Sequence, residues 1–236
     1  TIFDSSGGSL RNQYRQSALL REIARFGRQL NHQEFGNAMK VSWENFNRIW
    51  RNDYRTPTPE ETVKFLFEYL DINYDIESLN NISKEFGESV IHYPPSVMPG
   101  CAEAIKELSQ KYKLAIVSDT GFSPGSVLKR LLEIVELDVY FSAFSFSDQT
   151  GVSKPHPTAF LTALNILGVK PEEALHIGDI EATDIEGAKK IGMRAIRFSG
   201  DNTAFLNTDN PEESIADAEA NSWKEIIDYL RNERRK

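Results

Sequence analysis

Apolar residues recur at helical spacing through the first third of the chain. Leu19, Leu20, Ile23, Ala24 and Phe26 make one stripe, and Phe35, Met39, Trp43, Phe46, Ile49 and Trp50 make a second. Thr58-Pro59-Glu60-Glu61 reads as a helix start, with a hydroxyl cap, a proline in the first turn and acids at the positive end. That helix carries Val63, Phe65, Leu66, Phe67 and Leu70, and a fourth is predicted over about 76–90. Residues from about 12 to 92 therefore form an all-helical block without a strand pattern. In front of it, residues 1–4 read as the end of a buried strand, closed by a Ser/Gly-rich turn over residues 5–9.

Pro94-Pro95 and Pro99-Gly100 break the helical pattern, and alternation follows. Helices are predicted at about 100–112, 124–134, 156–167, 182–191 and 222–233. Between them lie apolar strands at 114–118, near 143–146, at 174–178 and at 195–198. Strands alternating with helices imply a parallel α/β sheet covered on both faces. The expected division is a core of residues 1–11 and 94–236, interrupted by a helical insert of residues 12–93. Sheets of this kind take ligands at the carboxyl ends of their strands. Asp4, Ser118 and Asp179 all fall at such ends.

Composition narrows the function classes. The chain has 236 residues, 40% hydrophobic and 26% charged, which suits a globular fold. A net charge of −8 argues against a nucleic-acid binder, which needs a basic face to neutralise phosphates. Cys101 stands alone, so an intramolecular disulfide or a cysteine-rich zinc site is excluded, and a reducing cytoplasm is the expected compartment. No apolar run reaches the ~18 residues of a membrane span, and no signal peptide is visible. Because the chain opens inside an apparent strand, further residues are expected to precede Thr1.

Four segments carry the chemistry. They are Thr1-Ile2-Phe3-Asp4 with Ser5-Ser6-Gly7-Gly8, Leu114-Ala115-Ile116-Val117-Ser118-Asp119, Ser153-Lys154-Pro155, and His176-Ile177-Gly178-Asp179 followed by Asp184. In this order and spacing they resemble the active-site motifs of the haloacid dehalogenase-like hydrolases, mostly magnesium-dependent phosphatases. The resemblance implies a Rossmann-like core with an inserted helical cap. It implies Asp4 as a nucleophile that forms an aspartyl-phosphate. Ser118 and Asp119 would bind the phosphoryl group, and Lys154 would neutralise it. By the same resemblance Asp4, Asp179 and the Ser6 carbonyl hold Mg2+, while Asp184 binds through water or orients Lys154. Glu181 and Glu186 read as solvated acids at a helix start, and His156 and His176 as structural groups.

Ser6 and Gly8 depart from the family pattern. The phosphatases carry an Asp at the Ser6 position, which protonates the leaving oxygen and then activates water. A serine hydroxyl does not titrate near neutrality, so the proton-transfer step is expected to be damaged, at a cost of ~10²–10⁴-fold. The expectation is a slow hydrolase of small phosphorylated metabolites. A second reading is a catalytically weak phosphate-binding or regulatory protein. A lesser one is a phosphonate-cleaving enzyme with Lys40 as its cap lysine. In the cap, Arg28, Lys40, Arg48, Arg51 and Arg55 offer cations, and Trp43 and Trp50 offer flat faces.

Overall fold

The computed structural model describes residues 1–204 and 210–233. Its first part is four helices: α1 (Gly8–Arg25), α2 (His32–Asn52), α3 (Pro59–Tyr69) and α4 (Ile76–His92). Three of them start at a side chain that takes up an otherwise orphaned N–H. Asn31 and Thr58 form reciprocal capping boxes with Glu34 and Glu61, and Asp75 caps at Ser78. α1 starts differently, inside the stretch read as a turn. Gly7 takes a left-handed φ of 74°, reversing the chain so that the helix begins at once. The apolar stripes meet in one cluster containing Leu19, Ile23, Phe35, Leu66, Phe67 and Phe86.

The rest alternates. It runs α5 (Cys101–Ser109), β1 (Leu114–Ser118), α6 (Gly125–Ile134), β2 (Phe141–Phe146), α7 (Ser147–Thr150) and α8 (Pro157–Leu167). Then come β3 (Leu175–Gly178), α9 (Glu186–Lys190), β4 (Arg194–Phe198), β5 (Ala218–Ala220) and α10 (Trp223–Glu233). Every strand pair is parallel. Hydrogen bonds join the strands as two sheets, β1-β2 and β3-β4-β5. The two sheets nevertheless belong to one layer. Leu114 and Ile116 of β1, Leu175 and Ile177 of β3, and Ile196 and Phe198 of β4 all pack on the α5/α10 side. Val117 and Ala195 pack on the opposite side, against Phe160 and Leu164 of α8 and Ala188 of α9. This is the two-residue alternation of strands covered on both faces.

Between β1 and β3 lies a cavity of about 410 Å³, bordered also by Thr1, Ile2 and Phe3. Residues 1–4 do not pair with β1 or β3 as a parallel strand. Phe3 makes a single antiparallel bridge with Val97. The Asp4 amide donates to the Ser96 carbonyl, and the Met98 amide to the Ile2 carbonyl. The 96–98 segment thus satisfies this backbone in place of a sheet neighbour.

The helical block docks on the carboxyl ends of the strands. Phe122, just after β1, packs into the helical cluster. Thr56 hydrogen-bonds Ser147, and the Ser153 amide donates to the Tyr54 carbonyl at 2.6 Å. Among the described residues no helix is long and apolar enough to cross a membrane.

Candidate active site

Ser118, Lys154, Asp179 and Asp184, predicted from three distant segments, line the one cavity at the carboxyl ends of β1 and β3. The tightest cluster among them is an ion pair. Lys154 Nζ donates to Asp184 Oδ1 at 2.7 Å, and the two side chains are only 12% and 4% exposed. His176 Nε2 lies 2.8 Å from the same oxygen. Asp184 Oδ2 accepts from the Ile180 amide at 3.2 Å. A π-helical turn, Glu181–Ile185, aims Asp184 back over β3. It fits there only because residue 178 is glycine: a Cβ at Gly178 would stand 2.3 Å from Asp184 Cγ.

Burial opposes ionisation of Asp184, but Lys154 and His176 outweigh it and hold its carboxyl well below the usual carboxylate range. Burial likewise opposes the Lys154 charge, and Asp184 with Asp119 overrides it, so the ammonium titrates above its ordinary value. The depressed Asp184 group stabilises the fold above its unfolded pKa of ~4 and loses this as pH falls through the folded value. The raised Lys154 group contributes below its unfolded pKa of ~10.4 and loses this as pH rises through the folded value. The pair therefore contributes fully from about pH 4 to 10. Asp184→Asn, which strands a buried ammonium, is expected to cost ~3–5 kcal/mol at neutral pH. Urea melts of both proteins from pH 3 to 9 check this; a difference that does not narrow toward pH 3 would contradict the pair's role.

Asp119 follows β1 and sits between the sheet and the helical block. Its Oδ1 accepts from the Lys154 amide and its Oδ2 from Trp50 Nε1, both at 2.9 Å. Burial pushes its carboxyl up, against the opposing pull of Lys154 and these hydrogen bonds. Among the described residues Ser118 Oγ makes only a long 3.4 Å contact, to the Asp119 carbonyl, so its hydroxyl is available to a ligand.

Asp4 Oδ1 is crowded with donors. It accepts from the Ser6 amide at 3.1 Å, the Ser6 hydroxyl at 2.5 Å and the Ser96 amide at 2.9 Å. These three leave Oδ2 as the oxygen open to an electrophile. The turn is tied down by Ser5, which bonds Asp201 and Thr203. Arg11 Nη1 donates to the Ser6 carbonyl at 2.8 Å and to the Tyr93 carbonyl at 2.9 Å.

Thr1 Oγ1 donates to Asp179 Oδ1 at 3.0 Å, drawing the start of the chain to the turn after β3. The hard oxygens of Asp4 and Asp179 suit a divalent cation that keeps several of its waters. Among the described residues no three acids or histidines form a closed metal cage. Asp184 is committed to Lys154 and His176, and the Ser6 carbonyl is held by Arg11.

Glu181 is not the solvated acid that its sequence position suggests. It is 4% exposed and bonds Arg197, the Ser214 hydroxyl and the Ile215 amide. Asn210 completes this support, donating to the Asp179 carbonyl and accepting from the Glu181 amide. His156 caps α8, its Nδ1 accepting from Thr158. Arg28, Arg48 and Arg55 are engaged by Leu70, Asp53 and Glu61. Lys40 is exposed and pairs with Glu44, so it lacks the buried setting that activates an amine nucleophile.

Sequence reasoning missed Ser96, Arg11 and Arg15. Ser96 acts through its backbone, which side-chain identity does not reveal. Arg11 and Arg15 stand four apart on α1, a spacing that places both on one helix face.

The family profile described as haloacid dehalogenase-like hydrolase matches residues 2–192. A glyceraldehyde 3-phosphate phosphatase of Pyrococcus furiosus is 34% identical over 139 residues, 58% of this chain and 55% of that protein. A phosphoglycolate phosphatase of Aquifex aeolicus is 35% identical over 133 residues, 56% of this chain and 55% of that protein. The chain thus spans about half the length of these curated relatives. In fold it resembles a phosphatase of Thermococcus onnurineus, with a TM-score of 0.65, 23% identity, and coverage of 98% of this chain and 93% of that one. It equally resembles a 2-haloacid dehalogenase of Pseudomonas syringae, with a TM-score of 0.70, 22% identity, and coverage of 98% and 94%. One scaffold carries both chemistries, so the choice between them rests on the site.

Proposed function

Since the chain belongs to the haloacid dehalogenase-like hydrolases, we propose that it hydrolyses phosphate esters of small metabolites, with residues 12–93 as the cap. The observation that carries this reading is the buried Lys154 ammonium, held charged by Asp184 in the cavity that Ser118 and Asp179 also line at the strand ends. A fixed, water-poor cation at that place attracts a phosphoryl dianion. The names of the relatives point the same way.

Asp4 Oδ2 attacks phosphorus, the bond to the ester oxygen breaks, and an aspartyl-phosphate forms. Ser118 Oγ and the amides after it bind one phosphoryl oxygen, and Lys154 balances the charge on another. Water then attacks phosphorus, releasing inorganic phosphate and regenerating Asp4. The family generally works with a divalent metal. Here Mg2+ would be held by Asp4, Asp179 and the Ser6 carbonyl, whose second lone pair Arg11 leaves open, and would supply charge neutralisation at the phosphoryl oxygens.

Proton transfer is the weak point. The ester oxygen leaves as an alkoxide that needs a proton, and the Ser6 hydroxyl beside Asp4 is no acid at neutral pH. Turnover is therefore slow. The same 2.5 Å contact favours a second reading, a phosphate-binding protein in which the Ser6 hydroxyl draws charge to Asp4 Oδ1 and blunts Oδ2 as a nucleophile. Phosphate release from a panel of phosphomonoesters, with excess Mg2+ and with EDTA, distinguishes the two. Slow, saturable, EDTA-sensitive release supports the hydrolase. Phosphate or vanadate binding without release supports the second reading.

A further inference from the structure

A second cavity, about 740 Å³, lies between the helical block and the strand ends. Gly8, Arg11 and Asp119 are among its lining residues, and the Arg11 guanidinium feels the charge of Asp4. Met39, Trp43, Phe46 and Phe122 form its apolar wall. Trp43 stacks on Phe46 with centroids 5.5 Å apart and planes 6° apart, and Phe46 meets Phe122 at 5.6 Å. Cavities of ~300–1,000 Å³ enclose drug-sized ligands, so this one has far more room than a two- or three-carbon phosphate fills.

Its charge is unusual for a chain of net −8. Arg11, Arg15 and Lys40 line it, Lys40 being exposed and paired with Glu44; Asp119 is the one acid among the lining residues, and its carboxylate is already occupied by Trp50 and Lys154. Arg15 is the telling member. It is 6% exposed, yet its hydrogen-bond acceptors are neutral: the Asn12 side chain at 3.0 Å and the Phe86 carbonyl at 3.4 Å. Its guanidinium lies over the Phe122 ring, 4.5 Å from the centroid. Five guanidinium N–H groups exceed what these two acceptors satisfy. Burial, with Arg11 adding repulsion, pushes its pKa down to about 9, so it remains a cation at neutral pH. A buried charge without a counter-charge is costly, and a bound anion removes that cost. Positive charge walled by apolar surface also focuses the field on incoming anions.

We propose that this cavity is the substrate's second anchoring point, and that the substrate is a phosphomonoester with a flat or apolar body ending in a second anionic group, carboxylate or phosphoryl, held by Arg15. The proposal rests on the hydrolase reading for which end reacts. Arg15 lies seven residues along α1 from Gly8, ~10 Å at 1.5 Å per residue. A body about as long as an aromatic ring with its substituents is of this order, and the reach of the Arg15 side chain meets its far end. The aromatic wall holds that body between the two anions.

The test uses four non-hydrolysable probes: benzylphosphonate and its para-carboxylate, para-phosphonate and para-trimethylammonium derivatives. Binding is read by calorimetry and by the fluorescence of Trp43 and Trp50, for the wild type, Arg15→Met and Arg15→Lys. In the wild type the doubly anionic probes are expected to bind about 10- to 100-fold more tightly than benzylphosphonate, the scale of hydrogen bonds to charged groups. The cationic probe should bind more weakly still. Arg15→Met should erase the preference of the doubly anionic probes over benzylphosphonate, and Arg15→Lys should restore part of it. Preference for the carboxylate over the phosphonate arm, or the reverse, identifies the natural second group. Equal wild-type affinity for benzylphosphonate and the doubly anionic probes overturns the proposal even if Arg15→Met does not fold. If the anionic preference holds while the corresponding phosphate esters are not turned over, the ligand class stands and the hydrolase reading fails.

Discussion

Asp4→Asn is expected to reduce phosphoester turnover to background, a loss on the order of 10⁴–10⁶-fold, the scale on which removal of a nucleophile registers. The substitution exchanges one oxygen for an amide and changes little else. The retained Oδ1 can still accept from the Ser6 and Ser96 amides, so the turn and the fold should persist. What disappears is the anionic Oδ2 that forms the bond to phosphorus. Phosphate release is measured with wild type and mutant at saturating substrate, alongside thermal melts. Vanadate or phosphate binding supplies a second readout, since Lys154 and Ser118 remain. Loss of turnover with binding and melting preserved is the expected pattern. Retained turnover would put the nucleophile elsewhere and end the proposed mechanism.

Ser6→Asp is expected to raise turnover, by part or all of the ~10²–10⁴-fold typical of general acid–base catalysis. The geometry supplies the reason. Ser6 Oγ is 2.5 Å from Asp4 Oδ1, so a carboxyl introduced here stands against an existing carboxylate. Two such groups resist ionising together, and one retains its proton to higher pH. That retained proton is what the leaving oxygen requires. The gain should fall on kcat rather than KM, because phosphate contacts are made by other residues. Ser6→Ala is the control. It also removes the hydroxyl from Asp4 but brings no titrating group. Equal gains in both variants would mean that the serine hydroxyl had been masking the nucleophile. No gain in Ser6→Asp, with fold and ligand binding intact, would show that proton transfer is not the limiting step.

The strands and helices that frame the site were legible because their signals are local. A strand covered on both faces reads as a short apolar run, as in Leu114–Ser118. Thr58-Pro59 with Glu61 announces a helix start within four residues. β5 escaped because Ala-Glu-Ala has neither length nor apolar alternation. Residues 1–4 misled because an apolar run before Asp does not say which backbone will pair with it, and here it was the 96–98 segment.

Sequence alone determined the order of the chemical groups: Asp4, Ser118, Lys154, Asp179 and Asp184. Parallel topology carries Ser118 and Asp179, at the ends of β1 and β3, to one edge, whereas Asp4 sits in a turn held by the 96–98 segment. Sequence also determined what the site lacks, since serine at position 6 cannot titrate near neutral pH whatever surrounds it. Tertiary structure decided which partners these groups have. Asp184 belongs to Lys154 and His176, Asp119 to Trp50, and Glu181 to Arg197. Tertiary structure alone also distinguished Arg15 from the cap arginines named from sequence. Arg28, Arg48 and Arg55 are engaged at or near the surface, whereas Arg15 is buried beside an open cavity with no carboxylate partner among the described residues. Residue type sets the charge a side chain can carry. Burial and the neighbours brought from distant segments set what that charge costs and what can relieve it, and neither is encoded locally.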